Sequence, residues 1–137
     1  IMTNTYNHAD LSEMRLAPCA YSMTFNVSGN RLNAILNQRS QDMLTANNWN
    51  VCQYAALLTM FAKASGFVPG ELVHVIADAH IYDRHVDAVR RLIEKKPYPA
   101  PEMQVEDITD FYKFTKNSFT AVDYKYHEFT DKIPVAI

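Results

Sequence analysis

The chain has 137 residues, 48% of them hydrophobic and 20% charged, with a net charge of −2. That balance fits one soluble globular domain and lacks the basic field that nucleic-acid binding draws on. No apolar run approaches the ~20 residues that span a bilayer, no signal peptide is visible, and two cysteines, Cys19 and Cys52, make no disulfide framework. A reducing, cytoplasmic setting is therefore expected, with neither a membrane nor a nucleic acid as partner. The chain opens Ile1-Met2-Thr3 rather than on an initiator methionine, so it reads as a piece of a longer protein.

Residues 1–18 are mixed; Asp10 to Met14 suits a short helix, and Pro18 ends it and presents Cys19. Tyr21, Met23, Phe25 and Val27 alternate with polar residues, as do Leu32, Ala34 and Leu36. Ser28-Gly29-Asn30 between them predicts a β-hairpin. From Asn50 to Ser65, the residues Val51, Tyr54, Ala55, Leu58, Phe61 and Ala62 recur at helical spacing. Leu57, Met60 and Ala64 make the other side apolar too, so this helix is expected to be buried on most sides. Asn50 suits its N-cap and Gly66 its C′ position.

Glu71 to Ile81 reads as a strand, and Asp83 to Lys95 as a second helix. That helix should turn Tyr82, Val86, Val89 and Ile93 inward and Arg84, Asp87, Arg90, Arg91 and Glu94 to water. Residues 97–101 form a stiff proline-rich connector. Met103 to Val105 suits a short edge strand, and residues 106–118 a weak helix. No repeat or low-complexity segment is present. The pattern as a whole is α+β, a mixed sheet with a buried helix.

Four stretches carry polar groups suited to chemistry. Cys19, in Leu16-Ala17-Pro18-Cys19, is a nucleophile if neighbouring positive charge favours its thiolate; for a lone cysteine a small core residue is the commoner reading. Gln38-Arg39-Ser40-Gln41-Asp42 follows a strand, and a guanidinium with a hydroxyl suits a phosphate; out of context it is a solvated loop. Asn50 offers an acceptor and two donors to a pyrimidine edge, or simply caps its helix. Asp78 to His85 concentrates Asp78, His80, Tyr82, Asp83, Arg84 and His85. His80 and His85 lack the i, i+4 spacing of a helical metal motif, so no metal is expected. Hydrogen bonding of a polar ligand by His80 and Tyr82 is the better reading.

Taken in order, Ala17-Pro18-Cys19, Gln38-Arg39-Ser40 with Asp42, Asn50, His80-Ile81-Tyr82 and the terminal Pro134-Val135-Ala136-Ile137 resemble the thymidylate synthase family over essentially the whole chain. The resemblance implies the fold shared by thymidylate synthase and dCMP hydroxymethylase. Residues 1–137 would be the C-terminal portion of its one domain, with the N-terminal portion absent. It implies reductive methylation of dUMP to dTMP, with 5,10-methylenetetrahydrofolate giving the one-carbon unit and the hydride, in a homodimer. Cys19 would add to C6 of uracil. Arg39 and Ser40 would hold the phosphate, and Arg39 would favour the Cys19 thiolate. Asn50 would read the base, and His80 and Tyr82 would bind the deoxyribose hydroxyl. Asp42 would meet the pterin, and the tail through Val135, Ala136 and Ile137 would close over the reduced folate.

The sequence departs from the family at several positions. Ala20 follows the cysteine where much of the family has histidine. Ala46 and Ala77 stand where glycine is common, and Thr24-Phe25-Asn26 replaces a more usual Gln-Phe-Tyr. The family's upstream arginines, catalytic glutamate and active-site tryptophan have no counterpart here, so the piece alone is expected to be inactive. Three alternatives stay open: a dUMP or dCMP hydroxymethylase of the same fold, a non-catalytic nucleotide-binding remnant, and a metallohydrolase built on Asp78, His80, Asp83 and His85.

Overall fold

A computed structural model describes residues 1–135. The chain divides into two compact units, Ile1–His80 and Ile81–Ile137.

The first unit is a four-stranded sheet with a helix on one face. Its strands are β1 (Met2–Asn4), β2 (Ala20–Ser28), β3 (Arg31–Gln38) and, beyond a short β4 (Gln41–Asp42) and helix α1 (Asn47–Ala64), β5 (Val68–Ile76). They lie in the order β1-β2-β3-β5. The β1–β2 and β2–β3 pairs are antiparallel, and β3–β5 is parallel. The expected hairpin forms, and Gly29 takes φ +60 at its tip, a conformation only glycine adopts without strain. The strand expected at 71–81 begins earlier and stops at Ile76. A separate β6 (Ala79–His80) then pairs in parallel with β4.

Strand alternation decides what faces α1. Leu32, Ala34 and Leu36 of β3 are buried while Ile35 is exposed. Met23, Phe25, Leu32, Ala34, Leu58 and Ala62 make the core, with Tyr54, Leu57, Phe61, Phe67 and Leu72 packed against it. Phe25 and Phe61 meet edge to face, ring centroids 5.1 Å apart. Only Leu58 and Ala62 of α1 are buried. The expectation of burial on most sides is not met, since Trp49, Val51 and Cys52 of this helix are exposed.

The helix starts one turn before Asn50, so Asn50 is not its cap. Ala46 stands at the N-cap without a side-chain bond. Asp42 instead turns the chain into the helix, its carboxylate accepting from the Leu44 and Thr45 amides at 2.9 and 3.2 Å. The C-terminal end follows expectation. Gly66 is left-handed, its N–H reaches the Lys63 carbonyl at 3.2 Å, and the Phe67 N–H reaches Ala62 at 2.8 Å. This pair of bonds is the Schellman closure.

Two bulges adjust the sheet. One lies on β2 between Ala20 and Ser22, directly after Cys19. The other lies on β5 opposite Asn33, where Asn33 Oδ1 accepts the Glu71 N–H at 2.9 Å.

In the second unit a 3₁₀ turn (Asp83–His85) leads into α2 (Val86–Ile93). Its inward residues are His85 and Ala88, whereas Ile93 is 74% exposed, against expectation. β7 (Glu102–Val105) pairs antiparallel with β8 (Phe119–Val122). Residues 106–118 form two 3₁₀ turns rather than a helix, one capped by Asp110 and one closed by a Thr115–Ser118 capping box. The Asp10–Met14 helix is likewise only a series of turns. Residues 124–135 have no regular structure but are tied down by side chains. Arg91 pairs with Asp131 at 2.9 Å, Lys95 donates to the Glu128 carbonyl, and His85 and Arg84 hold the carbonyls of Pro134 and Val135, each at 2.9 Å.

A Cβ on Gly70 would overlap Asn33 Oδ1 and stand 2.8 Å from the Leu32 carbonyl oxygen. Gly70→Ala should therefore lower stability by about 1–3 kcal/mol through overpacking at the bulge. Urea denaturation should show a lower midpoint at unchanged slope; an unmoved midpoint would mean the bulge tolerates a side chain.

Candidate active site

The site grows from the end of β3. Its last residue, Gln38, lies on the core face and is 2% exposed. Arg39 follows and crosses to the turn before β2. Its backbone N–H donates to the Cys19 carbonyl at 2.9 Å. Its guanidinium donates to the carbonyls of Pro18 at 3.2 Å and Ala17 at 2.6 Å. The Tyr6 hydroxyl donates to the same Pro18 carbonyl at 3.3 Å. The turn that carries Cys19 is thus fixed from both sides, and a cation sits against the two residues that precede the thiol. Cys19 is half-buried. Arginine has five N–H donors, so these two side-chain bonds leave donors for an anionic ligand.

Gln38 is the hub of a second set of contacts. Its Nε2 donates to the Ser40 carbonyl at 2.9 Å and to Asn50 Oδ1 at 3.2 Å. Its Oε1 faces His74 Nε2 at 2.9 Å. Sheet register explains the meeting. His74 pairs with Leu36, one position short of Gln38 on the same face, and Asn50 comes from the first turn of α1. Neither Gln38 nor His74 had a role in the sequence reading. A usable signal existed, because strand alternation puts both at core-facing positions where a polar side chain needs a partner.

The third contact set joins β4 to β6. Asp42 is in register with His80, and the Met43 N–H donates to the His80 carbonyl at 3.0 Å. His80 Nδ1 lies 3.3 Å from Asp78 Oδ2. Asp42 also accepts from the Thr45 hydroxyl at 2.6 Å, so its carboxylate is part of the turn into α1. Cys19, Arg39, Ser40, Asp42, Asn50 and His80 therefore all belong to the first unit. Tyr82 and Val135 belong to the second. There Tyr82 packs edge to face on His85, ring centroids 5.6 Å apart, and Val135 is held through its carbonyl by Arg84. Ala136 and Ile137 lie outside the described residues. Among the described residues no three His, Cys, Asp or Glu side chains form a group able to hold a metal. Of the proposed metallohydrolase ligands, His85 is committed through Nε2 to the Pro134 carbonyl.

Burial pushes the His74 pKa below the usual 6.5, so the folded state resists a proton that the unfolded chain accepts. The stabilisation from keeping the ring neutral is full above pH 6.5 and is lost as pH falls through the lower folded value. Thermal unfolding between about pH 7.5 and 5 should show this fall, and His74→Gln should flatten it. An equal fall in the variant would remove His74 as its source.

The family profile described as thymidylate synthase matches residues 1–137. The chain is 36% identical over 126 residues to the thymidylate synthase of Bacillus phage phi3T, covering 91% of this chain and 45% of that protein. It is 37% identical over 126 residues to the thymidylate synthase of Bacillus licheniformis, with the same 91% and 45% coverage. Its fold is similar to that of thermostable thymidylate synthase A from Bacillus subtilis, at a TM-score of 0.88 and 34% identity. That match covers 99% of this chain and 48% of the other. The chain spans about half the length of the relatives it matches. Over all of its residues, the chain belongs to the thymidylate synthase family.

Proposed function

We propose that residues 1–137 are the C-terminal portion of a thymidylate synthase domain, and that the complete protein converts dUMP to dTMP in the cytoplasm with 5,10-methylenetetrahydrofolate. The observation that carries this reading is the double anchoring of the Cys19 turn by Arg39, through the Cys19 carbonyl and the Ala17 and Pro18 carbonyls. One residue then serves two needs. It fixes the turn that carries the nucleophile, and its remaining donors suit the nucleotide phosphate together with the Ser40 hydroxyl.

In this reading the Cys19 thiolate adds to C6 of the uracil ring and makes C5 nucleophilic. Asn50 holds the ring by donating to its O4 and accepting from N3–H. His80 and Tyr82 receive the deoxyribose hydroxyl. The folate supplies the methylene unit and the hydride. Asp42 is assigned to the pterin in addition to its turn, and Val135, Ala136 and Ile137 to the segment that excludes water.

A homodimer is part of the reading. The sheet face opposite α1 exposes Ile35, Val73 and Val75 at 41%, 48% and 48%, and register brings Ile35 beside Val73. Neighbouring apolar residues of this kind suit a subunit interface. Among the described residues no helix is long and apolar enough to cross a membrane, and the net charge of −2 gives no electrostatic pull on a nucleic acid.

The test uses the full-length protein with 5-fluoro-dUMP and the folate. Mass spectrometry should find a covalent adduct that Cys19→Ala abolishes and Cys52→Ala keeps; an adduct surviving Cys19→Ala refutes the nucleophile. Arg39→Ala should weaken dUMP binding by ~1.5–3 kcal/mol, the usual loss for a charge-assisted contact, and unchanged affinity would remove the phosphate role. The isolated 137-residue chain should release no tritium from 5-tritiated dUMP. Turnover by it would show that the upstream half is dispensable.

A further inference from the structure

We infer that His74 is a positioning residue that sets the hydrogen-bonding sense of Asn50 through Gln38, and so helps the site choose a 4-oxo over a 4-amino pyrimidine. The inference rests on the proposed role of Asn50 as the base-reading residue and names what enforces it.

An amide side chain can face a base in either of two senses. In one its NH2 meets the 4-position of the ring; in the other its oxygen does. Uracil presents an acceptor at O4 and a donor at N3–H, whereas cytosine presents a donor at N4 and an acceptor at N3. Asparagine alone, free to turn about its last torsion, accepts both. Discrimination therefore needs something that holds the amide one way round.

The Gln38 contacts provide it. The Ser40 carbonyl only accepts, so it draws the Gln38 NH2 at 2.9 Å. The same NH2 faces Asn50 Oδ1 at 3.2 Å. At its other end Gln38 presents Oε1, which also only accepts, to His74 Nε2 at 2.9 Å. That ring nitrogen must then carry the hydrogen. Burial lowers the pKa of His74, and a neutral ring has one N–H, so it sits on Nε2. Turning Asn50 over would set its NH2 against the Gln38 NH2, donor against donor. Relieving that clash by turning Gln38 would set its oxygen against the Ser40 carbonyl and its NH2 against the His74 N–H. Gln38 is 2% exposed, so water cannot mediate the mismatch cheaply. The Ser40 carbonyl and His74 both oppose the flip. With Asn50 Oδ1 turned toward Gln38, its NH2 is left for an acceptor such as O4. The second lone pair of Oδ1 remains for N3–H.

Of the two groups that hold Gln38 in place, His74 is the one a substitution can change, because Ser40 contributes its backbone carbonyl. His74→Phe keeps a ring and removes the donor. His74→Gln keeps a donor at the equivalent ε position. In the full-length protein the ratio of kcat/KM for dUMP to that for dCMP should fall about tenfold or more in His74→Phe, and His74→Gln should restore most of it. A purely structural role would lower stability in both variants and leave the ratio unmoved, and that outcome overturns the inference. If wild-type protein itself does not prefer dUMP, the base-reading role of Asn50 fails first. A preference that persists unchanged in His74→Phe fails the inference alone. Nitrogen-15 NMR of the wild-type protein decides the matter even if His74→Phe does not fold. A ring protonated on Nε2 is expected, and one protonated only on Nδ1 contradicts the relay.

Discussion

The candidate site hangs on the alternation that carries from Gln38, the last residue of β3, into Arg39. A strand sends successive side chains to opposite faces. Gln38 therefore goes to the core, where it meets His74 and Asn50, and Arg39 goes the other way, to the turn before β2. β3 is paired on both sides, antiparallel to β2 and parallel to β5, so this end cannot slip by one residue without exchanging the two roles. The register that buries Leu32, Ala34 and Leu36 is thus the same constraint that aims Arg39 at the Cys19 turn. Packing of the core and geometry of the site are set by one choice.

The sheet is adapted where it meets the site. The bulge after Ala20 lies next to Cys19. The parallel pairing of β3 and β5 also does not simply end: the Ala77 N–H donates to the Gln38 carbonyl and the Gln41 N–H to the Asp78 carbonyl, at 3.0 and 2.9 Å. The ladder resumes as β4 and β6, with Asp42 beside His80. Residues 38–42 therefore stay bonded along one side to the stretch 76–80, which makes them a firm platform for a reacting ligand.

Much of this was legible in the sequence. Alternating Met23/Phe25 and Leu32/Ala34/Leu36 around Gly29 announced the hairpin, and Gly66 announced the end of α1. What failed did so for physical reasons. Asn50 looked like a cap because capping residues have no signature apart from position, whereas Asp42, earlier in the chain, turns the backbone into the helix. Leu57, Met60 and Ala64, opposite the main apolar stripe of α1, suggested burial on most sides, yet only Leu58 and Ala62 of this helix are buried. Residues 106–118 kept enough apolar character to look helical but are divided by side-chain-capped 3₁₀ turns. The candidate site was readable as an ordered set of residues, and the contacts that join them were not. Nothing in local sequence says that His74 meets Gln38 across a parallel pair, because that meeting depends on a register set by residues far away in the chain.

The most direct test of the account is a crystal structure of the full-length protein with dUMP bound. The account predicts the phosphate on Arg39 and the Ser40 hydroxyl, Cys19 Sγ facing C6, and the Asn50 NH2 on O4 with Gln38 still bridging to His74. A nucleotide whose phosphate lies away from Arg39, or an Asn50 amide turned with its oxygen toward O4, would contradict it.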